Sequence, residues 1–266
     1  MKLKQALAQQ LTKKDSSLVP SSFDIIGDIA LFNDFPSALR KKEKLIAKTL
    51  MSLNPHIKVV AKKTGKFSGK HRTPKITIIA GEKRKETMHK ENGCLLKLNI
   101  EKCYFSPRLS TERLRIAKLV KKEESILVLF SGVAPYTCVI AKNAQPKEIV
   151  GIELNKIAHR YALANVQKNK LTNIKLYQGD IRKVLPTIKK KFERIIMPLP
   201  KDSPTYLDLA LKKLKPKGTI HLYLFMHEKE FLSIKKHYQQ CFKKVSLVRC
   251  GVFAPHVLRM CLDLVR

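Results

Sequence analysis

Three places in the second half of the chain carry residues suited to holding a nucleotide-shaped ligand. An apolar run from Ile126 to Phe130 leads into the turn Ser131-Gly132-Val133-Ala134-Pro135. A second run, Glu148 to Ile152, ends at Glu153 and Leu154, and a third, Ile174 to Tyr177, is followed by Gly179-Asp180-Ile181. If these runs are parallel strands, the residues just past them gather on one carboxyl edge, where open α/β sheets bind ligands. An acid after the second strand can accept both hydroxyls of a ribose, and one after the third can accept the amino group of adenine. The ordinary alternative for either acid is a helix cap or a solvated loop end. At Gly132 the backbone can come close to a ligand while the next helix aims amides at it. The turn is not G-x-G-x-x-G, and no Lys-Ser or Lys-Thr follows a glycine loop, which argues against NAD and ATP.

Further candidates flank this segment. Met197-Pro198-Leu199-Pro200 closes a fourth strand, where proline stiffens the backbone and leaves the carbonyls of Met197 and Pro198 to line a pocket or merely ends the strand. Arg108 and Arg113 stand at the start of the second half, where a guanidinium can bind phosphate or stabilise an oxygen that gains charge. The histidines show no metal-ligand spacing: His221 and His227 are separated by an apolar run, and His71 and His89 have no adjoining cysteines, so no metal is expected. Neither G-x-S-x-G nor H-E-x-x-H occurs, so acyl and peptide hydrolysis lack their apparatus.

The chain has 266 residues, with 54 Lys and Arg against 21 Asp and Glu and a formal net charge of +33. Such an excess attracts polyanions and repels other copies, so a nucleic-acid partner and a monomer are expected. Six cysteines form no C-x-x-C pair and read as reduced core residues. The opening MKLKQALAQQLTKKD has no secretory apolar segment and no run approaches a membrane span, so a cytoplasmic protein without membrane contact is expected.

The elements that must position these residues fall into two groups. In the first, apolar spacing at Leu3, Leu7 and Leu11 suits a short helix over 2–14, Phe23 to Leu31 reads as one strand and Pro36 to Met51 as a helix. Strand-like runs follow at Ile57 to Ala61, Ile76 to Ala80 and Cys94 to Leu98. The loops Lys62 to Lys66 and Gly69 to Arg72 are basic enough to follow a phosphate backbone. The second group starts with a helix after Ser110 that runs to about Lys121. It continues with strands Ile126 to Phe130, Glu148 to Ile152, Ile174 to Tyr177, Arg194 to Met197, Thr219 to Phe225 and Val257 to Leu264. Helices are expected at Tyr136 to Lys142, Lys156 to Asn169, Thr205 to Leu214 and Glu228 to Cys241. Regular alternation implies a parallel sheet covered on both faces, with the last strand antiparallel.

With these residues in view, the chain resembles the archaeal and eukaryotic type of tRNA guanine-37 N1-methyltransferase, a class I S-adenosylmethionine-dependent family. The resemblance lies in FDIIGDIA at 23–30, HKENG at 89–93, YFSPRLSTER at 104–113, LFSGVAPY at 129–136, GIELN at 151–155, GDIRKVLP at 179–186, RIIMPLP at 194–200 and RCGVFAPHVLRMCLDL at 249–264. It implies a Rossmann-like class I methyltransferase sheet with helices on both faces over 104–266. A smaller α+β domain that binds tRNA would precede it over 1–103. It further implies a two-domain core without the extra amino-terminal domain of some members, and methyl transfer from S-adenosyl-L-methionine to N1 of guanine 37 of tRNA. Arg113 would steady the substrate and Glu153 would serve in cofactor binding or proton removal, these two being the catalytic candidates. Phe130, Ser131, Gly132, Glu153, Leu154, Asp180, Ile181 and Pro198 would bind cofactor, and Arg108, Arg113 and Pro198 would meet the tRNA. Val128 stands where the family has an acid, Ala134 where it has a second glycine, and Pro198 where many relatives have asparagine. Two alternatives stay open: transfer of the aminocarboxypropyl group of the same cofactor to a tricyclic base at position 37, and a tRNA-binding protein without catalysis.

Overall fold

Strands β1 (Asp24–Ile26) and β2 (Ile29–Phe32) form an antiparallel pair in the part of the chain where the sequence suggests one strand. The reversal is forced at Gly27, whose φ of +59° suits glycine, and where a Cβ would come within 2.1 Å of Thr87 Oγ1. The computed structural model describes residues 3–65, 73–199 and 203–266. The basic loop Gly69 to Arg72, with His71, lies outside them, as do Lys66 and Pro200.

The chain divides into two compact units, residues 1–90 with 97–107, and 91–96 with 108–266. In the first, helices α1 (Leu3–Ala6) and α2 (Lys13–Leu18) replace the expected single helix over 2–14. Thr12 ends the intervening turn by accepting the amide of Asp15, which starts α2, and Leu7 and Leu11 fall into the core. A 3-10 turn, Ser37–Lys42, precedes α3 (Glu43–Leu53), so the expected helix after Pro36 begins more tightly wound. α3 crosses between β2 and β3 (Val59–Lys63), which pair in parallel, and β4 (Ile76–Gly81) adds antiparallel to β3. Ile46, Ala47 and Leu50 of α3 bury against Phe32, Ile57 and Val60. A two-stranded sheet of β5 (Glu86–Glu91) and β6 (Cys94–Asn99) follows, of which the tip, residues 91–96, belongs to the second unit.

The second unit opens with α4 (Ser110–Leu119) and then builds a seven-stranded sheet. Its strands are β7 (Ser125–Leu129), β8 (Glu148–Glu153), β9 (Ile174–Gln178), β10 (Phe192–Met197), β11 (Leu214–His227), β12 (Lys244–Ala254) and β13 (Val257–Val265), in the order β12-β13-β11-β10-β7-β8-β9. The five strands from β11 to β9 run parallel, and β13 runs antiparallel, as the alternation of strands and helices suggests. β12 is an additional antiparallel edge strand. Helices α5 (Pro135–Asn143), α6 (Lys156–Lys168), α7 (Ile181–Thr187), α8 (Leu207–Leu211) and α9 (Phe231–Gln239) complete the unit. The helix expected over 205–214 is shortened because β11 already begins at Leu214. Leu127, Leu129, Val150, Ile195, Leu222 and Leu262 fill one core beneath the sheet. Among the described residues no helix is long and apolar enough to cross a membrane.

Candidate functional site

After β7 the chain builds outward through β8 and β9, then returns to the other side of β7 to form β10. The carboxyl ends on either side of that reversal are where an α/β sheet leaves a crevice. Phe130, Ser131 and Gly132 follow β7, Glu153 and Leu154 end β8, Asp180 and Ile181 follow β9, and Pro198 follows β10. The structure therefore brings the eight cofactor candidates to one edge of four neighbouring strands.

Glu153 organises that edge. Its Oε2 accepts the amide of Gly132 at 2.7 Å, and its Oε1 accepts the amide of Asn155 at 2.7 Å. One carboxylate thus ties the β7 turn to the start of α6, where Asn155 caps the helix by accepting the amides of Ile157 and Ala158. The turn is tightly coiled: Phe130, Gly132 and Ala134 have φ values of +55°, +58° and +70°. Two of these are not glycine, so the conformation is held by its contacts. Ser131 N donates to Ile152 O at 2.9 Å, and Asn165 Nδ2 of α6 donates to Val133 O at 2.9 Å. Ser131 Oγ is buried with no hydrogen-bond partner, a polar atom left for a ligand. Opposite it, a Cβ on Gly151 would approach Ser131 Oγ to 3.2 Å and Leu176 to 2.7 Å, so glycine preserves this space.

Asp180 is also a helix cap. It caps α7 by accepting the Arg182 amide at 2.9 Å and pairs with the Arg182 guanidinium at 2.7 Å. Ile181 is buried in the core. The amide of Gly179 donates to Glu153 O at 2.9 Å, which holds the two acid-bearing strand ends together, and Leu154 O accepts from Gln178 Nε2. The ring of Phe130 meets that of Tyr206 edge-on at 5.2 Å. The carbonyl of Met197, a pocket-lining candidate, accepts instead from the buried hydroxyl of Ser203 at 2.8 Å, which leaves Pro198 partly exposed beside it.

Arg113 lies against the helix that leaves the turn. Its guanidinium is 5.9 Å from the centre of the Tyr136 ring, in the first turn of α5. It also pairs bidentately with Glu91, through Nε and Nη2 at 2.5 Å each, and both side chains are 2% exposed. Arg108, in the turn before α4, is exposed. Glu91 and Tyr136 are the partners that sequence reasoning left without a role. Both lie within the segments HKENG and LFSGVAPY, and an acid among glycine and asparagine beside a hairpin turn was the available signal.

A polar chain anchors α4, the helix that carries Arg113, through its neighbours Glu112 and Arg115. Glu112 accepts from Tyr223 Oη at 2.5 Å and from Arg115 Nε at 2.7 Å, and Arg115 Nη1 reaches Asp263 at 2.7 Å. Asp263 accepts from His221 Nδ1 at 2.6 Å, and His221 Nε2 lies 2.6 Å from Arg194 Nη1, whose guanidinium binds Glu124. Since arginine only donates, His221 Nε2 is the acceptor and the ring is neutral. His221, Cys261 and Asp263 hold one possible metal donor each within 4.8 Å. Those donors are already engaged in the network, and burial pushes the Cys261 thiol well up, away from the thiolate a metal requires.

Burial, against the pull of Asp263, holds His221 below its ordinary 6.5, and burial also lowers His159. The unfolded chain then binds these protons more readily than the folded one from about pH 6.5 downward. Stability should fall as pH drops from 7 to 5, and His221→Gln should flatten that slope in urea midpoints measured at each pH. An unchanged slope in the variant would remove His221 as its source.

Residues 87–251 match the family model of the TRM5/TYW2 methyltransferase domain, and residues 3–84 that of the TYW2 N-terminal domain. The tRNA (guanine(37)-N(1))-methyltransferase Trm5b of Pyrococcus abyssi is 38% identical over 207 residues, which cover 78% of this chain and 61% of the relative. The tRNA 4-demethylwyosine(37)-methyltransferase Taw21 of Saccharolobus solfataricus is 35% identical, with 79% of this chain and 80% of the relative covered. The structure of aTrm5 in complex with tRNALeu superposes with a TM-score of 0.88 at 30% identity, over 100% of this chain and 78% of that one. The chain thus spans less than two thirds of the Pyrococcus relative's length.

Proposed function

The chain belongs to the TRM5/TYW2 methyltransferase family, and from that premise we propose that it transfers the methyl group of S-adenosyl-L-methionine to N1 of guanine 37 in tRNA. The observation that carries the reading is Glu153: a carboxylate anchored to the glycine turn and to α6 at the sheet's switch point, with an unsatisfied serine hydroxyl beside it. The fit to the cofactor is good. Glu153 brings a carboxylate to the strand end where ribose hydroxyls would sit, Ser131 Oγ lacks a partner, and Phe130, Leu154, Ile181 and Pro198 supply the apolar and backbone surroundings. The cofactor supplies an activated methyl group; the chain supplies its placement.

Guanine N1 loses a proton as it is alkylated, and charge grows on O6. Arg113, held rigid by Glu91 and Tyr136, is the group that stabilises that oxygen. Both Glu153 oxygens accept backbone amides, which favours anchoring over proton removal. Asp180, already capping α7, contributes the shape of the adenine end more than a free acceptor. Arg108 serves tRNA affinity, the basic first unit extends the tRNA contact, and the protein works as a monomer in the cytoplasm without a metal.

A second reading has specific support in the match of residues 3–84 to a TYW2 N-terminal domain and in the likeness to Taw21. In it the same pocket acts on a tricyclic base at position 37. Mass spectrometry of nucleosides from tRNA incubated with S-adenosyl-L-methionine separates the two. One added methyl on guanosine 37 supports the first. Product only on the tricyclic precursor, as a methyl or an aminocarboxypropyl group, overturns it. With a net charge of +33, tRNA affinity should fall by about 10³-fold between 50 and 200 mM salt. A flat response in filter-binding measurements would show that the charge serves something else.

A further inference from the structure

Strand β11 carries two rows of side chains. Leu222, Leu224 and Met226 face the apolar core, and the alternate residues His221, Tyr223 and Phe225 line the opposite face. On that face an aromatic series leads away from the ion pair of Arg113. Tyr136 lies over the guanidinium, the ring of Tyr223 is 5.9 Å from that of Tyr136, and Phe225 is the next residue of the row. Phe253 then stacks on Phe225, with centroids 3.9 Å apart and planes 26° from parallel. The Arg259 guanidinium, on the residue paired with Phe225 across β13, lies 5.2 Å from the Phe225 centroid.

This end of the series is open. Phe253 is 58% exposed and the neighbouring Val252 is 61% exposed. The β12–β13 ladder shifts register between Val252 and Ala254, and Phe253 is the extra residue at that bulge. Met197, the last residue of β10, pairs with Leu222. Phe225 is three residues further along β11, so the stacked pair stands above the same carboxyl edge that carries Glu153. His227 and His256 continue the surface, their rings 5.9 Å apart and nearly parallel.

An exposed ring backed by a second ring and flanked by a guanidinium and imidazoles suits the face of an unpaired base next to a phosphate. The charge of +33 favours RNA over another copy of this chain as its occupant. A base whose N1 is to react must leave its stack, and its neighbour then loses a partner. We propose that Phe253, supported by Phe225 and Arg259, is a stacking platform for an unpaired nucleotide adjacent to the reacting base. The proposal rests on the reading of the site as one that modifies an RNA base, and it adds where the flanking nucleotide goes.

The test uses the full chain and a synthetic anticodon stem-loop with 2-aminopurine beside the target nucleotide, since this probe loses fluorescence when it stacks. Wild-type protein should quench the probe. Phe253→Ala should abolish the quench and weaken binding about tenfold, within the range of base–aromatic stacking, while Phe253→Trp restores both. The slope of log affinity against log salt should not change, because no phosphate contact is removed. Because Phe253 is exposed, the alanine variant should fold as the wild type does. Equal quench and affinity in wild type and Phe253→Ala would overturn the platform, as would a variant that dissociates a dimer in sedimentation without altering RNA binding. A wild type that quenches the probe but yields no modified nucleoside would instead remove the transfer reading and leave the platform in place.

Discussion

Exchange of Arg113 for alanine is expected to destabilise the protein by about 3–5 kcal/mol, because it leaves the Glu91 carboxylate buried without its charge partner. The two side chains are 2% exposed and share two hydrogen bonds of 2.5 Å, so water cannot replace the lost guanidinium. A loss of that size is a large part of the stability of an ordinary domain. Single-turnover transfer should fall as well, by about 10²-fold or more if the guanidinium meets charge that grows on O6. Cofactor affinity should change less, since Glu153 and the turn remain. The difficulty is that unfolding alone lowers activity. The double variant Glu91→Leu with Arg113→Met resolves it by removing both charges together, which typically restores stability. Urea unfolding should then return toward the wild-type midpoint while transfer stays low. Recovery of transfer with stability would show that the pair holds α4 in place and takes no part in the reaction.

The parallel sheet and the edge on which the candidates gather were legible because both are written locally. Short apolar runs, the cap alternative at Asp180 and the glycine turn each act within a few residues. The errors lie where the deciding partner is distant or where two signals compete. Phe23 to Leu31 is apolar enough to read as one strand, yet Gly27-Asp28 reverses it, with Asp28 held by Thr87 and Arg84 from far along the chain. β12 lacks a clean alternation, because its outer edge is exposed and carries Lys244 and Arg249, so its place comes from pairing with β13. Arg113 could be singled out by the motif around it, but a sequence position does not reveal a buried partner 22 residues earlier. Asp180 shows the reverse. Its neighbour Arg182 is close in sequence, so the helix cap and ion pair that the structure shows at Asp180 could be read locally.

Glu153→Ala is the other change with a large expected consequence, and the geometry makes it more than the loss of a ligand contact. One charge-assisted bond to a ribose contributes roughly 1.5–3 kcal/mol, so affinity for S-adenosyl-L-methionine should weaken about 10- to 150-fold in calorimetry. The same carboxylate accepts the amides of Gly132 and Asn155, so its removal also leaves those two amides, in the β7 turn and at the start of α6, without their acceptor. The turn holds Phe130 and Ala134 at positive φ, a conformation that non-glycine residues keep only while their surroundings impose it. Glu153→Gln keeps an acceptor for only one of the two amides without an additional clash, and it separates the effects. If anchoring the turn dominates, glutamine recovers part of the stability and part of the affinity together, in proportion. If the ribose contact dominates, glutamine recovers part of the melting temperature while affinity stays as low as in the alanine variant, because an amide oxygen is a weaker acceptor than a carboxylate for two hydroxyls. The ribose contact is expected to dominate the affinity loss, since Ser131 N and Asn165 Nδ2 still hold the turn through Ile152 O and Val133 O. Unchanged cofactor affinity in Glu153→Ala would take Glu153 out of the binding site and leave it as a purely architectural link between β8, the glycine turn and α6.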